Sequence, residues 1–75
     1  MKVKVKLFTS LRRSDVEGAK VINLPIGATV SELLKKLNLE VTDVGVLVIN
    51  TKGATFNQIL FEDDDVTIIP PIDGG

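Results

Sequence analysis

Lys2-Val3-Lys4-Val5-Lys6-Leu7-Phe8, at the head of a 75-residue chain, places Val3, Val5 and Leu7 on one side and Lys2, Lys4, Lys6 and Phe8 on the other. A period of two is that of a half-buried strand, since successive side chains in extended backbone point to opposite faces. A secretory leader would instead carry an unbroken apolar run behind its basic start. Thr9 to Gly18 is polar and charged and reads as a loop, followed by a second strand at about Lys20 to Leu24 that Pro25 and Gly27 close. Thr29-Val30-Ser31-Glu32 then has the form of a capping box, in which the Thr29 hydroxyl and the Glu32 carboxylate each accept from the other's amide. Val30, Leu33, Leu34 and Leu37 follow at i, i+3, i+4 and i+7, which predicts a short amphipathic helix stopped at Asn38.

Beyond a connection through Glu40 and Asp43, Val44-Gly45-Val46-Leu47-Val48-Ile49 predicts a strand covered on both faces, or one at an edge touching a partner. Asn50-Thr51-Lys52-Gly53 reads as a turn, with a short extended piece at Ala54 and Thr55 and a compact turn from Phe56 to Phe61. The acidic run Glu62 to Asp65 precedes the last strand, Val66-Thr67-Ile68-Ile69, and Pro70-Pro71 ends it, because proline cannot donate to a ladder.

Composition narrows the chemistry. A chain this short buries only about 60% of the surface its unfolded form exposes, so it supports one core and one domain spanning residues 1–75, without an ordinary cofactor pocket. Apolar residues make up 44% and charged residues 25% of the chain, the balance of a folded globular protein. The net charge of -1 and pI of about 5.2 provide no positive field for nucleic acid. There is no cysteine and no histidine, which removes disulfides, thiolate chemistry, the common zinc ligands and every nucleophile–histidine pair. The Lys2, Lys4, Lys6 stripe lacks interleaved aromatics and reads as a solvated sheet face. Glu62 to Asp65 lacks the spacing of a calcium loop and reads as a solvated turn. With no apolar stretch of membrane-spanning length, the expected location is the cytoplasm, with no membrane partner.

The order β-β-α-β-(β)-β allows few arrangements, and the simplest lays one helix across one face of a mixed four- to five-stranded sheet. This is the α+β layout called the β-grasp, or ubiquitin-like, fold, with the first and last strands side by side and parallel in the middle. Parity then directs Val3, Val5, Leu7, Val66 and Ile68 toward the helix, and Lys2, Lys4, Lys6, Phe8, Thr67 and Ile69 toward water. Phe8 and Ile69 would meet on the open face where residues 70–75 leave as an extended C-terminal tail. Such a pair is either ordinary surface or a docking patch.

The chain ends Ile69-Pro70-Pro71-Ile72-Asp73-Gly74-Gly75. Two terminal glycines arise by chance in roughly one chain in two hundred, and a frayed end or a cloning scar is the plain alternative. Lys-Leu-Phe-Thr-Ser-Leu-Arg at residues 6 to 12, Ala-Thr-Val-x-x-Leu-Leu at residues 28 to 34 and the terminal Ile-Pro-Pro-Ile-x-Gly-Gly together resemble the MoaD/ThiS sulfur carriers, more closely the MoaD branch, the small subunit of molybdopterin synthase. The resemblance covers nearly the whole chain, and its terminal motif is the specific part. It implies that an activating enzyme of the ubiquitin E1 type adenylates the Gly75 carboxylate, which becomes a thiocarboxylate and donates sulfur. It also implies that the chain is not an enzyme by itself and, when free, is a monomer. No cofactor would be bound, and the ATP and magnesium would belong to the activating partner.

Carried over by position, Gly75 bears the reacting group and Gly74 shares the channel. Phe8 and Ile69 form the apolar contact for the activating enzyme and the large synthase subunit, with Pro70, Pro71 and Ile72 alongside. Arg12 occupies a position where the family commonly has arginine and could pair with a partner carboxylate, a solvated loop being the alternative reading for Arg12 and Arg13. Two departures stand out: Glu62-Asp63-Asp64-Asp65 lacks the glycine often found in that turn, and Asp73 places a charge beside the diglycine. Two other uses of the same carboxylate stay open, a protein modifier joined to target lysines and the carrier of thiamin thiazole synthesis, and so does a plain regulatory binding module.

Overall fold

A computed structural model describes the backbone of residues 1–10 and 15–71 and the side chains of residues 1–7 and 20–71. Among the described residues, five strands, β1 (Lys2–Ser10), β2 (Asp15–Asn23), β3 (Val46–Ile49), β4 (Lys52–Gly53) and β5 (Asp65–Ile69), accompany one α-helix, α1 (Val30–Lys36). They form a single sheet in the order β2-β1-β5-β3-β4. β1 and β5 run parallel, Val5 opposite Val66 and Leu7 opposite Ile68, while the β1–β2, β3–β5 and β3–β4 pairs are antiparallel. This is the α+β layout the sequence predicts.

Parity decides the core. Val3 and Val5 of β1, Val66 and Ile68 of β5 and Leu47 and Ile49 of β3 are buried on the face that α1 covers with Val30, Leu33 and Leu34. Leu7, Ile22 and Leu37 pack partly buried at the margin, and Leu60 fills the space from the loop before β5. Each fully buried aliphatic side chain contributes about 1.5–3 kcal/mol over leaving it in water.

The helix ends are held differently from the sequence expectation. Thr29 is the N-cap in extended backbone, but its side chain makes no capping bond. The loop from Phe56 to Leu60 takes over that task. The Val30 amide donates to the Gln58 carbonyl at 3.0 Å, the Ser31 amide to the Phe56 carbonyl at 3.0 Å, and the Ser31 hydroxyl to the same oxygen at 3.1 Å. At the other end Asn38 does stop the helix, with φ at 60°. The Leu39 amide donates to the Leu34 carbonyl at 2.8 Å and the Asn38 amide to the Lys35 carbonyl at 3.1 Å, the paired bonds of a Schellman close.

Three further boundaries differ. β2 begins at Asp15, inside the stretch read as a loop, because pairing with β1 continues as far as Ser10 opposite Asp15, through two irregularities that the polar composition does not reveal. β3 begins at Val46, since Val41–Asp43 winds into a short 3-10 turn first. The expected turn at Asn50 to Gly53 is tighter: Ile49 pairs with Lys52, leaving Asn50 and Thr51 as a two-residue loop with φ of 51° and 71°.

The acidic run is the main correction. Asp64 is not solvated but 9% exposed. One carboxylate oxygen accepts from the Asn50 side-chain amide at 2.9 Å and the other from the Phe61 amide at 2.8 Å. The Asn50 side-chain oxygen in turn accepts from the Asp65 amide at 3.0 Å. Asp64 and Asn50 thus tie the hairpin tip to the start of β5. Asp63, with φ at 67°, takes the left-handed conformation that a glycine would adopt without strain, and its amide donates to the Lys2 carbonyl at 2.8 Å.

Replacing Asp64 by Ala leaves two donors without their acceptor, so urea unfolding should show a loss of about 2–3 kcal/mol. Thr51→Gly should instead gain up to about 1 kcal/mol, because a β-branched residue at positive φ is strained and glycine is not. A stability unchanged by Asp64→Ala would contradict the latch.

Candidate functional site

The open face of the sheet follows from the same parity that built the core. Lys4 and Lys6 of β1 are exposed, Val21 of β2 lies opposite Lys4, and Thr67 lies between Lys6 and Val48. Ile69, the last residue of β5, pairs with Val46, and both point away from the helix. Val46 is 48% exposed, whereas Ile69 and Val48 are half-buried. An apolar strip of Ile69, Val46 and Val48 therefore borders the place where the chain leaves the sheet. Half-burial of Ile69 makes it the floor of this strip more than a protruding knob.

The departure of the chain is itself built. β5 is the middle strand of the five, so the chain leaves the sheet from its central strand. The Ile69 carbonyl accepts from the Gly45 amide at 2.7 Å, one residue before the start of β3. Pro70 is half-buried and Pro71 exposed. Their backbone passes directly over Gly45, where a side chain would collide with the Pro70 carbonyl oxygen and the Pro71 nitrogen. Neither proline can donate to a ladder, so pairing stops where the residues demand it.

Of the residues singled out in the sequence, Ile69, Pro70 and Pro71 come together at this exit. The Phe8 backbone pairs with Val16 across β1 and β2, while its side chain, like Arg12, Ile72, Asp73, Gly74 and Gly75, lies outside the described residues. Val46, Val48 and Gly45 were not among the sequence candidates. A glycine interrupting a β-branched run marks a close backbone approach, and that sign was present in the residues from 44 to 49.

Among the described residues no group of three or more acidic side chains is placed to hold a metal. A shallow hollow of about 340 Å³ lies on the open face between Lys4, Lys6, Asp65 and Thr67. It sits at the start of β5, away from the exit. No helix among the described residues is long and apolar enough to cross a membrane.

Comparison with known proteins agrees with this geometry. The ThiS family matches over residues 5–75, so the chain belongs to the ThiS family of small ubiquitin-fold proteins, which takes in sulfur carriers and related modifiers. Its fold is similar to that of SAMP1 from Haloferax volcanii, with a TM-score of 0.74 at 19% identity and all of both chains covered. It is also similar to a Pyrococcus furiosus protein described as a candidate molybdopterin converting factor, subunit 1, with a TM-score of 0.66 at 28% identity, covering 95% of this chain and 98% of that one. No curated protein sequence matches.

The face assignment is directly testable. Val46→Lys should change stability by no more than about 1 kcal/mol, because the residue faces water. Leu47→Lys, one position on and facing the core, buries an unpaired charge and should leave the chain unfolded. Similar denaturation midpoints for the two variants would invert the register assigned to β3.

Proposed function

We propose that the chain is a sulfur carrier for molybdenum or tungsten cofactor synthesis, working as the small subunit of a two-protein synthase. The observation that carries this reading is the match to the ThiS family through residue 75, on a body whose last strand is also its central one. The likeness to the Pyrococcus furiosus protein supports the molybdopterin branch over the thiamin one, as does the Pro70-Pro71 pair.

The chemistry follows from the weakness of a carboxylate as an electrophile. An oxygen of the Gly75 carboxylate attacks the α-phosphorus of ATP held with magnesium by an E1-like enzyme, and pyrophosphate leaves. Hydrosulfide released by the sulfur donor then attacks the acyl carbon, AMP departs with the bonding electrons, the sulfur loses its proton to solvent, and a thiocarboxylate remains for the large synthase subunit to use. The chain is substrate and carrier throughout, and the catalytic groups belong to its partners.

The residues suit that task. Six residues, from Pro70 to Gly75, span roughly 20 Å when extended, enough to enter a buried active site. Gly74 and Gly75 bring no side-chain bulk to a narrow channel. Ile69, flanked by Val46, gives both partners an apolar strip beside the exit, and Phe8 and Arg12 are assigned to the same contact. Both partners act in the cytoplasm on this reading.

The assay incubates the chain with an E1-like activating enzyme, ATP and a sulfur donor and measures intact mass. Exchange of one oxygen for sulfur is expected in the wild type and none in a chain truncated by Gly75. Gly75→Ala should lower kcat/KM for activation by at least about tenfold with no change in unfolding midpoint. An unchanged wild-type mass, with an activator competent on a known carrier, would overturn the reading. Gly-Gly remnants on lysines of other proteins, without sulfur exchange, would favour a modifier instead.

A further inference from the structure

We propose that Gly45 is a positioning residue that sets the course on which the C-terminal segment leaves the body. The inference rests on the carrier reading only for its functional consequence, since the contact itself stands on geometry. The Gly45 amide holds the Ile69 carbonyl at 2.7 Å and so fixes the last point of β5. A methyl group on Gly45 would lie 2.7 Å from the Pro70 carbonyl oxygen and 2.7 Å from the Pro71 nitrogen, and closer still to the Pro71 Cα.

All three atoms are backbone, so no rotamer change can make room. Ordinary contact needs about 3.5–4.0 Å between carbon atoms, so a side chain at this position displaces the Pro70-Pro71 backbone by about an ångström. Each proline has φ fixed near -65° and the pair is stiff. It therefore transmits that displacement to whatever follows as a change of direction.

Backbone conformation does not explain this glycine. Gly27 has φ at 91°, in the region that favours glycine, but Gly45 is not among the positive-φ residues. What Gly45 supplies is space. Two features make the placement specific: the amide rung holds Ile69 in, and the missing side chain lets the proline pair lie flat across the start of β3. The three atoms nearest to such a methyl group all belong to Pro70 and Pro71.

For a tail that must thread a partner's channel, direction at the exit is a determinant of activation. A misplacement of about an ångström at a reacting group can cost on the order of a hundredfold in rate. Gly45→Ala should therefore lower kcat/KM for adenylation at least tenfold, while leaving the core amide spectrum in place. Pro71→Gly in that background should restore part of the loss, because a freed φ lets the segment find the channel again.

The direct readout is paramagnetic broadening. The sequence has no cysteine, so Asp73→Cys accepts a single nitroxide label in the full chain, with activation measured on unlabelled protein. Gly45→Ala is expected to relocate the set of broadened body amides. An unmoved set in folded Gly45→Ala would overturn the inference, however active the carrier. Loss of the dispersed core spectrum would also overturn it, since Gly45 would then be holding the body together. Failure of the wild type to gain sulfur would sink the carrier reading alone, and the broadening comparison would still decide the positioning role.

Discussion

The parallel pairing of the first and last strands, with Lys4, Val5, Lys6 and Leu7 beside Asp65, Val66, Thr67 and Ile68, is the constraint on which the remaining structure depends. It joins residues separated by nearly the whole chain, at a cost in loop-closure entropy that the buried side chains must offset. It also puts β5 at the centre of the sheet, flanked by β1 and β3. A peptide leaving the end of such a strand starts from a fixed point, because the strand that launches it is hydrogen-bonded on both sides.

Much of this frame was legible because it obeys two local periods. Alternation from Lys2 to Phe8 gave the face of β1, and the Val30, Leu33, Leu34 spacing gave the buried stripe of α1. What escaped depends on pairing at a distance. Nothing in Glu62-Asp63-Asp64-Asp65 distinguishes Asp64 from its neighbours until Asn50, fourteen positions away, is brought against it. Thr29 looked like a capping side chain, but the Phe56 to Leu60 loop supplies backbone acceptors first, so tertiary structure took over a local role. The polar first half of β2 is hidden from the sequence for a similar reason, since those residues are strand only because β1 is there to pair with them.

The candidate site was readable to a different degree. Pro70-Pro71 announced the exit and Ile69 its apolar border, both from strand parity and proline chemistry. Val46 was hidden inside a run that is apolar on both faces, where parity alone cannot say which residues reach water. Gly45 was visible as an interruption, but its use depends on where the last strand ends, which only the β3–β5 register shows.

A division of labour follows between the two parts of the molecule. The body supplies rigidity through its apolar core and the Asn50–Asp64 tie. On the proposed reading, the segment after Ile69 supplies the reacting group. The central claim is that this carboxylate becomes the acyl carrier of sulfur. The most direct measurement is top-down mass spectrometry of the chain recovered from its native host without added enzyme. The account predicts a population with one oxygen replaced by sulfur, localised to the fragment containing Gly75; a chain that continues past Gly75 untrimmed, or one never found with sulfur there, would contradict it.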